Sequence, residues 1–198
     1  MNADRYRGEL SFDRRRARRV EQKRAIARRA VELVPSNASV YLDAGTTCLE
    51  VGRLLLGRTD LRLFTHSLRL MTETPAATPL ASIVCVGGEY RRVSEALVGG
   101  LVASWLEQLR FDVAFIAASG VGPEGCSTTE LSEMLVKQQV LRRAHHRILV
   151  ADSEKWAHPA AVRFDDWRLI DDWVCDDELP AAARDVVRGK NVRFLPAP

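Results

Sequence analysis

Asp43-Ala44-Gly45-Thr46-Thr47 sets a carboxylate, a glycine and two hydroxyls between a short apolar run, Val40-Tyr41-Leu42, and a stretch in which Leu49, Leu54, Leu55 and Leu56 supply an apolar face. A run of β-formers that ends in such a turn reads as a buried strand feeding a helix. Thr47 followed by Glu50 has the spacing of a capping box, so the turn is expected at a helix N-terminus. Unpaired backbone N–H groups and the positive end of the helix dipole attract an anion there. Gly45 lets a ligand approach the backbone, and the threonines add donors. The chemistry on offer is recognition of a phosphate or carboxylate.

Four further places combine small, hydroxylated or glycine residues after an apolar run: Thr65-His66-Ser67, Gly87-Gly88, Ala118-Ser119-Gly120 and Asp152-Ser153. Together with Ser127-Thr128 they describe a crevice for a compact, oxygen-rich ligand. Lys137 and Lys155 are placed to supply positive charge on the side opposite Gly45-Thr46-Thr47. The Asp43 carboxylate would repel a phosphate at close range. It is assigned either to a hydroxyl of the ligand or to fixing the turn by accepting backbone N–H bonds. The expected ligand site is therefore Asp43, Gly45, Thr46, Thr47, His66, Ser67, Gly88, Ser119, Gly120, Ser127, Thr128, Lys137, Asp152 and Lys155.

Other chemistry lacks support. His145 and His146 are adjacent on an expected helix and face different ways, and no Cys/His spacing matches a zinc site, so no metal or cofactor is expected. None of Ser67, Ser119, Ser127 or Ser153 sits in a Gly-x-Ser-x-Gly elbow, and capping or ligand hydrogen bonding accounts for them. The four cysteines form no C-x-x-C pair and read as buried thiols.

The elements that must carry these residues alternate. Strands are expected at 40–42, 61–65, 82–86, 112–117, 147–151, 172–175 and 191–195. Helices are expected from Asp13 to Val34, after Thr47, from Ser67 to Thr72, from Glu95 to Gln108, from a capping box at Ser127 and Glu130 to Ala144, and for about ten residues from Glu178. Near-continuous apolar strands alternating with helices predict an α/β fold, a mainly parallel sheet with helices on both faces. Ligands in such sheets bind beyond the carboxyl ends of the strands, where the polar turns lie.

With 198 residues, 46% of them hydrophobic, the chain can bury one sizeable core. No run approaches the roughly 18 apolar residues of a membrane span, and the polar, arginine-rich N-terminus is no secretory signal. Residues 1–30 hold eleven Lys and Arg against four Asp and Glu, +7, whereas residues 31–198 hold eighteen against twenty-two, −4. Arg14, Arg15, Arg16, Arg18 and Arg19 are the densest part of that basic segment. Such a cluster either follows nucleic-acid phosphates or coats a solvated linker helix. The apolar stripe of Val20, Ile26, Ala27, Ala30, Val31 and Val34 strengthens toward Pro35, so the far half of this helix should pack on the domain and the near half project. The division is a basic linker helix, 1–35, and a folded domain, 36–198, that carries the expected ligand site.

The motifs together resemble a known family. Leu42-Asp43-Ala44-Gly45-Thr46-Thr47, Thr65-His66-Ser67, Val86-Gly87-Gly88, Leu97-Val98-Gly99, Leu109 to Ile116, Gly125-Cys126-Ser127-Thr128, Lys137 and Ala151-Asp152-Ser153-Glu154-Lys155 are similar, in order and spacing, to the C-terminal sensor domain of DeoR-family bacterial transcription regulators. The resemblance runs from about Leu10 to Leu195. It implies a fold like ribose-5-phosphate isomerase and CoA-transferases. It also implies a cytoplasmic, oligomeric sensor, in a repressor of sugar metabolism, that binds a phosphorylated sugar or similar anionic metabolite. Operator DNA would be bound by an N-terminal winged helix-turn-helix outside this sequence, so Met1 reads as the start of a truncated or shortened chain. The chain departs from the family at His66, where Asn is usual, and at Ala118-Ser119-Gly120, where Ala-Asp-Gly is usual. The second change removes a carboxylate that an isomerase would need. An isomerase or transferase on the same fold is the alternative, and the basic linker and the lack of an acid and base pair favour the sensor.

Overall fold

The computed structural model describes residues 9–74 and 80–198; the first eight residues of the 1–35 linker lie outside them. In chain order the elements are α1 (Phe12–Arg16), α2 (Val20–Val31), β1 (Ser39–Leu42), α3 (Thr46–Leu55), β2 (Arg62–Thr65), α4 (Leu68–Thr72), β3 (Ser82–Cys85), β4 (Glu89–Arg91), β5 (Ala96–Val98), α5 (Gly100–Glu107), β6 (Phe111–Ile116), β7 (Gly120–Gly122), β8 (Gly125–Thr128), α6 (Leu131–Arg143), β9 (Ala144–Val150), β10 (Val162–Asp165), β11 (Asp172–Asp176), α7 (Ala181–Arg188) and β12 (Arg193–Ala197). A 3-10 turn, Ser153–Lys155, follows β9.

Seven strands form the expected parallel sheet, in the order β12-β11-β9-β6-β1-β2-β3. Side chains on successive residues point to opposite faces, and both faces are covered. Val40 and Leu42, Val113 and Phe115, and Ile148 and Val150 pack with Ile26, Ala30, Leu49 and Leu55 of α2 and α3. Tyr41, Ala114, Ile116, Leu149 and Trp173 face the other way, toward Val102 and Leu106 of α5, Val136 and Val140 of α6, and Val187 of α7. From β1 the chain winds through β2 and β3 to one edge, and from β6 through β9, β11 and β12 to the other. The strand order therefore reverses between β1 and β6, where crevices open in sheets of this kind.

Several local expectations are corrected. Ala96–Val98 is a strand paired with β4, and α5 begins only after Gly99, whose φ of 98° suits glycine. Ser127 lies in β8, in a small antiparallel sheet ordered β10-β8-β7, and α6 starts at Leu131 with Glu130 as N-cap. His145 and His146 lie on β9. Helix α3 is capped by Gly45, so Thr47 is within the first turn and makes no capping box. Ser67 does cap α4, its hydroxyl accepting from the Leu70 N–H at 3.3 Å.

The basic linker is also not one projecting helix. It breaks between α1 and α2, at Arg19, whose φ of 49° and ψ of 47° are left-handed. Residues 9–19 lie back on the domain. Phe12 is buried, with the Arg69 guanidinium 5.4 Å from its ring centroid; Arg69 also pairs with Asp13 at 2.8 Å.

Candidate functional site

A cavity of about 200 Å³ opens at the strand-order reversal. Its floor is the end of β1 and start of α3 (Gly45, Thr46, Thr47), the end of β6 (Ala117, Ala118, Ser119) and the end of β9 (Val150, Ala151, Asp152), with Thr129 beside them. Gly45 is the N-cap of α3 and offers no side-chain hydrogen bond to the first turn, whose N–H groups have no partner one turn back. Its backbone is extended, so φ does not demand glycine. A Cβ there would lie 2.5 Å from the Ala117 Cβ, and glycine is what allows β1 and β6 to close on the same turn.

Asp43 sits directly beneath. Its Oδ1 accepts from the Ala44 N–H at 2.9 Å and its Oδ2 from the Ala117 N–H at 2.8 Å, so the carboxylate ties the two strand ends together. Lys137, reaching in from α6, donates to Asp43 and to the Ala117 carbonyl, the latter at 2.9 Å. Both side chains are buried. Burial alone would raise the Asp43 carboxyl, but Lys137 and then His66 hold it below its ordinary value. The His66 Nε2 is 3.4 Å from Asp43 Oδ1, and its Nδ1 meets the Tyr41 hydroxyl. Burial takes the His66 pKa from 6.5 down to about 4, outweighing the pull of Asp43. The ring is neutral near pH 7. On α6, Glu133 accepts from Thr128 at 2.5 Å and pairs with Arg91 at 3.0 Å, and Arg91 also pairs with Glu9. A buried polar network thus runs under the cavity floor and out to residue 9.

Of the expected site, Gly45, Thr46, Thr47, Ser119, Asp152 and Lys155 line this cavity. The others do different work. Lys137, expected opposite the anion, is not part of the lining, and its charge is engaged by Asp43. Asp43 and His66 form the layer beneath. Ser67 caps α4. At Gly88 a Cβ would collide with Val102 and the Val98 carbonyl, and at Gly120 with the His158 carbonyl, so both are glycine for packing. The Ser127 hydroxyl donates to the Gly120 carbonyl at 3.0 Å and accepts from the Ala160 N–H at 2.8 Å, and Thr128 holds Glu133.

The roof was not expected. Glu9, Leu10, Arg15, Arg18, Arg19 and Lys23 of the folded-back linker complete the lining. Five basic side chains (Arg15, Arg18, Arg19, Lys23, Lys155) thereby face three acidic ones (Glu9, Asp152, Glu154). Each acid is engaged: Glu9 by Arg91, Glu154 by Arg18, and Asp152 by Arg19 at 3.7 Å. Among the described residues Arg15, Lys23 and Lys155 have no carboxylate within ion-pair distance. The one signal for this in the sequence is the four-residue spacing of Arg15, Arg19 and Lys23. No group of His, Cys, Asp or Glu among the described residues could hold a metal ion.

Comparison with known proteins bears on both fold and family. A family model described as the DeoR C terminal sensor domain matches residues 18–177. The HTH-type transcriptional regulator GlpR of Haloferax volcanii is 31% identical over 94% of this chain and 73% of its own length. The glycerol-3-phosphate regulon repressor of Escherichia coli K12 is 26% identical over 91% and 71%. A D-ribose-5-phosphate isomerase solved in complex with phospho-erythronic acid superposes with a TM-score of 0.50 at 18% identity, over 70% of this chain and 54% of that one. That likeness concerns the fold, and this chain spans about half the length of the isomerase.

Proposed function

The chain belongs to the DeoR C-terminal sensor domains, a family of transcription regulators and not of enzymes, and from that premise we propose that its cavity binds a small phosphorylated metabolite that alters operator binding by the repressor it serves. The observation that carries this is the pairing of the α3 N-terminus at Gly45-Thr46-Thr47 with Arg15, Lys23 and Lys155, cations without carboxylate partners among the described residues. Helix-start N–H groups and unmatched cations are what a phosphate needs. The volume of about 200 Å³ is below the roughly 300–1,000 Å³ of sites for drug-sized ligands. A sugar phosphate or a three-carbon phosphate is of the right class, and the name of the Escherichia coli relative points to glycerol 3-phosphate as the first compound to try.

Thermal denaturation with glycerol 3-phosphate, ribose 5-phosphate and related phosphates, each against its unphosphorylated parent, tests the reading. A ligand at one hundred times its dissociation constant adds about 2.7 kcal/mol of stability. Phosphorylated compounds should raise the midpoint and the neutral parents should not. Equal shifts for both would remove the anion from the site.

Two further parts belong to the same reading. Operator contact falls to a helix-turn-helix domain N-terminal to the sensor, in the cytoplasm, and the sensor self-associates so that paired domains meet a repeated operator. The surface that fits self-association is the adjoining faces of α5 and α6, where Leu101, Trp105, Leu131 and Leu135 are 72%, 64%, 62% and 43% exposed. Large apolar side chains clustered in this way are what an interface covers.

A further inference from the structure

The roof of the cavity and the path toward any preceding domain are the same piece of chain. Residues 9–18 reach the sheet through the break at Arg19, a left-handed conformation that arginine holds only when its surroundings impose it. Those surroundings are visible. The Arg19 guanidinium is 2.9 Å from Glu178 and 3.3 Å from Asp176, and it donates to the Ser153 hydroxyl at 3.2 Å. Lys23, one turn into α2, donates back to the carbonyls of Arg15 and Arg18. Beyond the break, α1 is seated by Phe12 and by the Glu9–Arg91 pair.

Within this arm Arg15 is anomalous. Its Nη2 donates to the Val93 carbonyl at 3.2 Å, its Nε is buried without a hydrogen bond, and no carboxylate among the described residues lies within ion-pair distance. Burial lowers its pKa from the ordinary arginine value, the mark of a cation whose water has been removed without a full replacement. Across the same cavity, the Thr129 Oγ1 is likewise buried without a partner. This guanidinium, whose partners are one carbonyl and the Phe12 ring at 5.8 Å, lines the same cavity as a helix N-terminus and has no anion to pair with among the described residues.

We propose that Arg15 contacts the anionic group of the ligand directly, across from Gly45-Thr46-Thr47, so that the ligand itself ties the arm to the sheet and fixes the bend at Arg19. This rests on the reading that the cavity binds a phosphorylated metabolite, and it adds how that binding leaves the sensor. With ligand, the arm is clamped between the α3 turn and α2. Without it, the arm keeps the contacts of Phe12, Glu9, Asp13, Arg16, Arg18 and Arg19 and the bonds of Arg15 and Lys23 to backbone carbonyls, but loses its tie to the α3 turn, and the direction in which the chain leaves the domain is less strictly set. The arm is a flap whose position reports occupancy.

The arm carries its own reporter, because Arg14, Arg15, Arg16, Arg18 and Arg19 are trypsin sites. Limited trypsin digestion of the 198-residue chain, with and without glycerol 3-phosphate, ribose 5-phosphate or inorganic phosphate, reads arm closure on the unaltered protein. Calorimetry on Arg15→Gln and on the exposed neighbour Arg14→Gln reads the contact. The expected result is that a phosphate found to bind slows cleavage within residues 14–19 at least fivefold. Arg15→Gln should bind it about ten- to a hundredfold more weakly, the range for a charge-assisted hydrogen bond, and Arg14→Gln should bind as the unaltered chain does. A phosphate that binds while cleavage in the arm is unchanged overturns the flap and leaves the cavity reading standing. Equal affinities for Arg15→Gln and Arg14→Gln overturn the direct contact. Failure of all three probes to bind the unaltered chain overturns both readings.

Discussion

Lys137 and Asp43, 94 positions apart in the chain, form a buried ion pair directly under the turn that begins α3, with the Ala117 carbonyl as the lysine's second acceptor. The relationship changes what a mutation there should do. Were Lys137 a ligand contact at a cavity mouth, Lys137→Ala would weaken binding and spare the fold. As built, the change leaves a buried carboxylate without its cation, which costs about 3–5 kcal/mol. Urea unfolding of Lys137→Ala should show a loss of that order, and the combined Asp43→Asn and Lys137→Met variant should recover part of it. A single variant as stable as the unaltered chain would contradict the pairing.

His66 in the same layer predicts a pH dependence. Its folded pKa of about 4 lies below the ordinary 6.5, so the unfolded chain takes up a proton first as the pH falls. Stability from this group is complete above pH 6.5 and declines from 6.5 to about 4, by about 3 kcal/mol over that interval. Asp43, with its depressed folded pKa, adds a loss that begins only near and below its ordinary carboxyl value. Unfolding free energies at half-unit steps from pH 7 to 4 should show the first decline, and His66→Asn should flatten it. An unchanged slope in that variant would place the titrating group elsewhere.

The division between what sequence reading could reach and what it could not follows the range of the interactions. The strand at Phe111–Ile116 and the other six strands of its sheet are apolar runs closed by polar turns, a local signal, and all seven fall within three residues of where the runs place them. The floor of the cavity was legible for the same reason, since Gly45, Ser119 and Asp152 each end such a run. The roof was not. A break at Arg19 has no Gly, Pro or Asn to announce it, and it exists because Glu178, Asp176 and Ser153, over 130 residues away, hold the guanidinium. The capping-box patterns at Thr47 and Ser127 were overruled by Gly45 and by the pairing of β8 with β7 and β10. The spacing of Leu97 and Leu101 fits a helix, but the hairpin with β4 takes Leu97 into a strand.

Self-association through α5 and α6 gives a prediction that does not depend on the ligand. Trp105→Glu combined with Leu131→Lys places charges on a face where the replaced side chains are more than half exposed, so the fold should tolerate them. Sedimentation at micromolar concentration should show an oligomer for the unaltered chain and a monomer for the double variant, with equal melting points at high dilution. A double variant that still associates would move the interface to another surface.

Gly45 is the position where packing and ligand recognition meet, and a pair of substitutions separates them. An alanine at 45 finds its own backbone angles acceptable, but its Cβ lies 2.5 Å from that of Ala117. Either the turn or the end of β6 must shift, at a cost of about 1–3 kcal/mol for overpacking. The same shift moves the first N–H groups of α3 away from the anion, and misplacement of this kind weakens binding without removing a contact residue. Removing the Ala117 Cβ relieves the clash from the opposite side. Gly45→Ala alone should therefore lose both stability and phosphate affinity, while Gly45→Ala with Ala117→Gly should regain most of both. Chemical denaturation and calorimetry with whichever phosphate binds the unaltered chain measure the two quantities separately. Recovery of stability without recovery of affinity would mean that glycine at 45 serves the ligand's approach to the backbone as well as the closure of β1 on β6. If neither is recovered, the 2.5 Å contact is not what makes this position glycine.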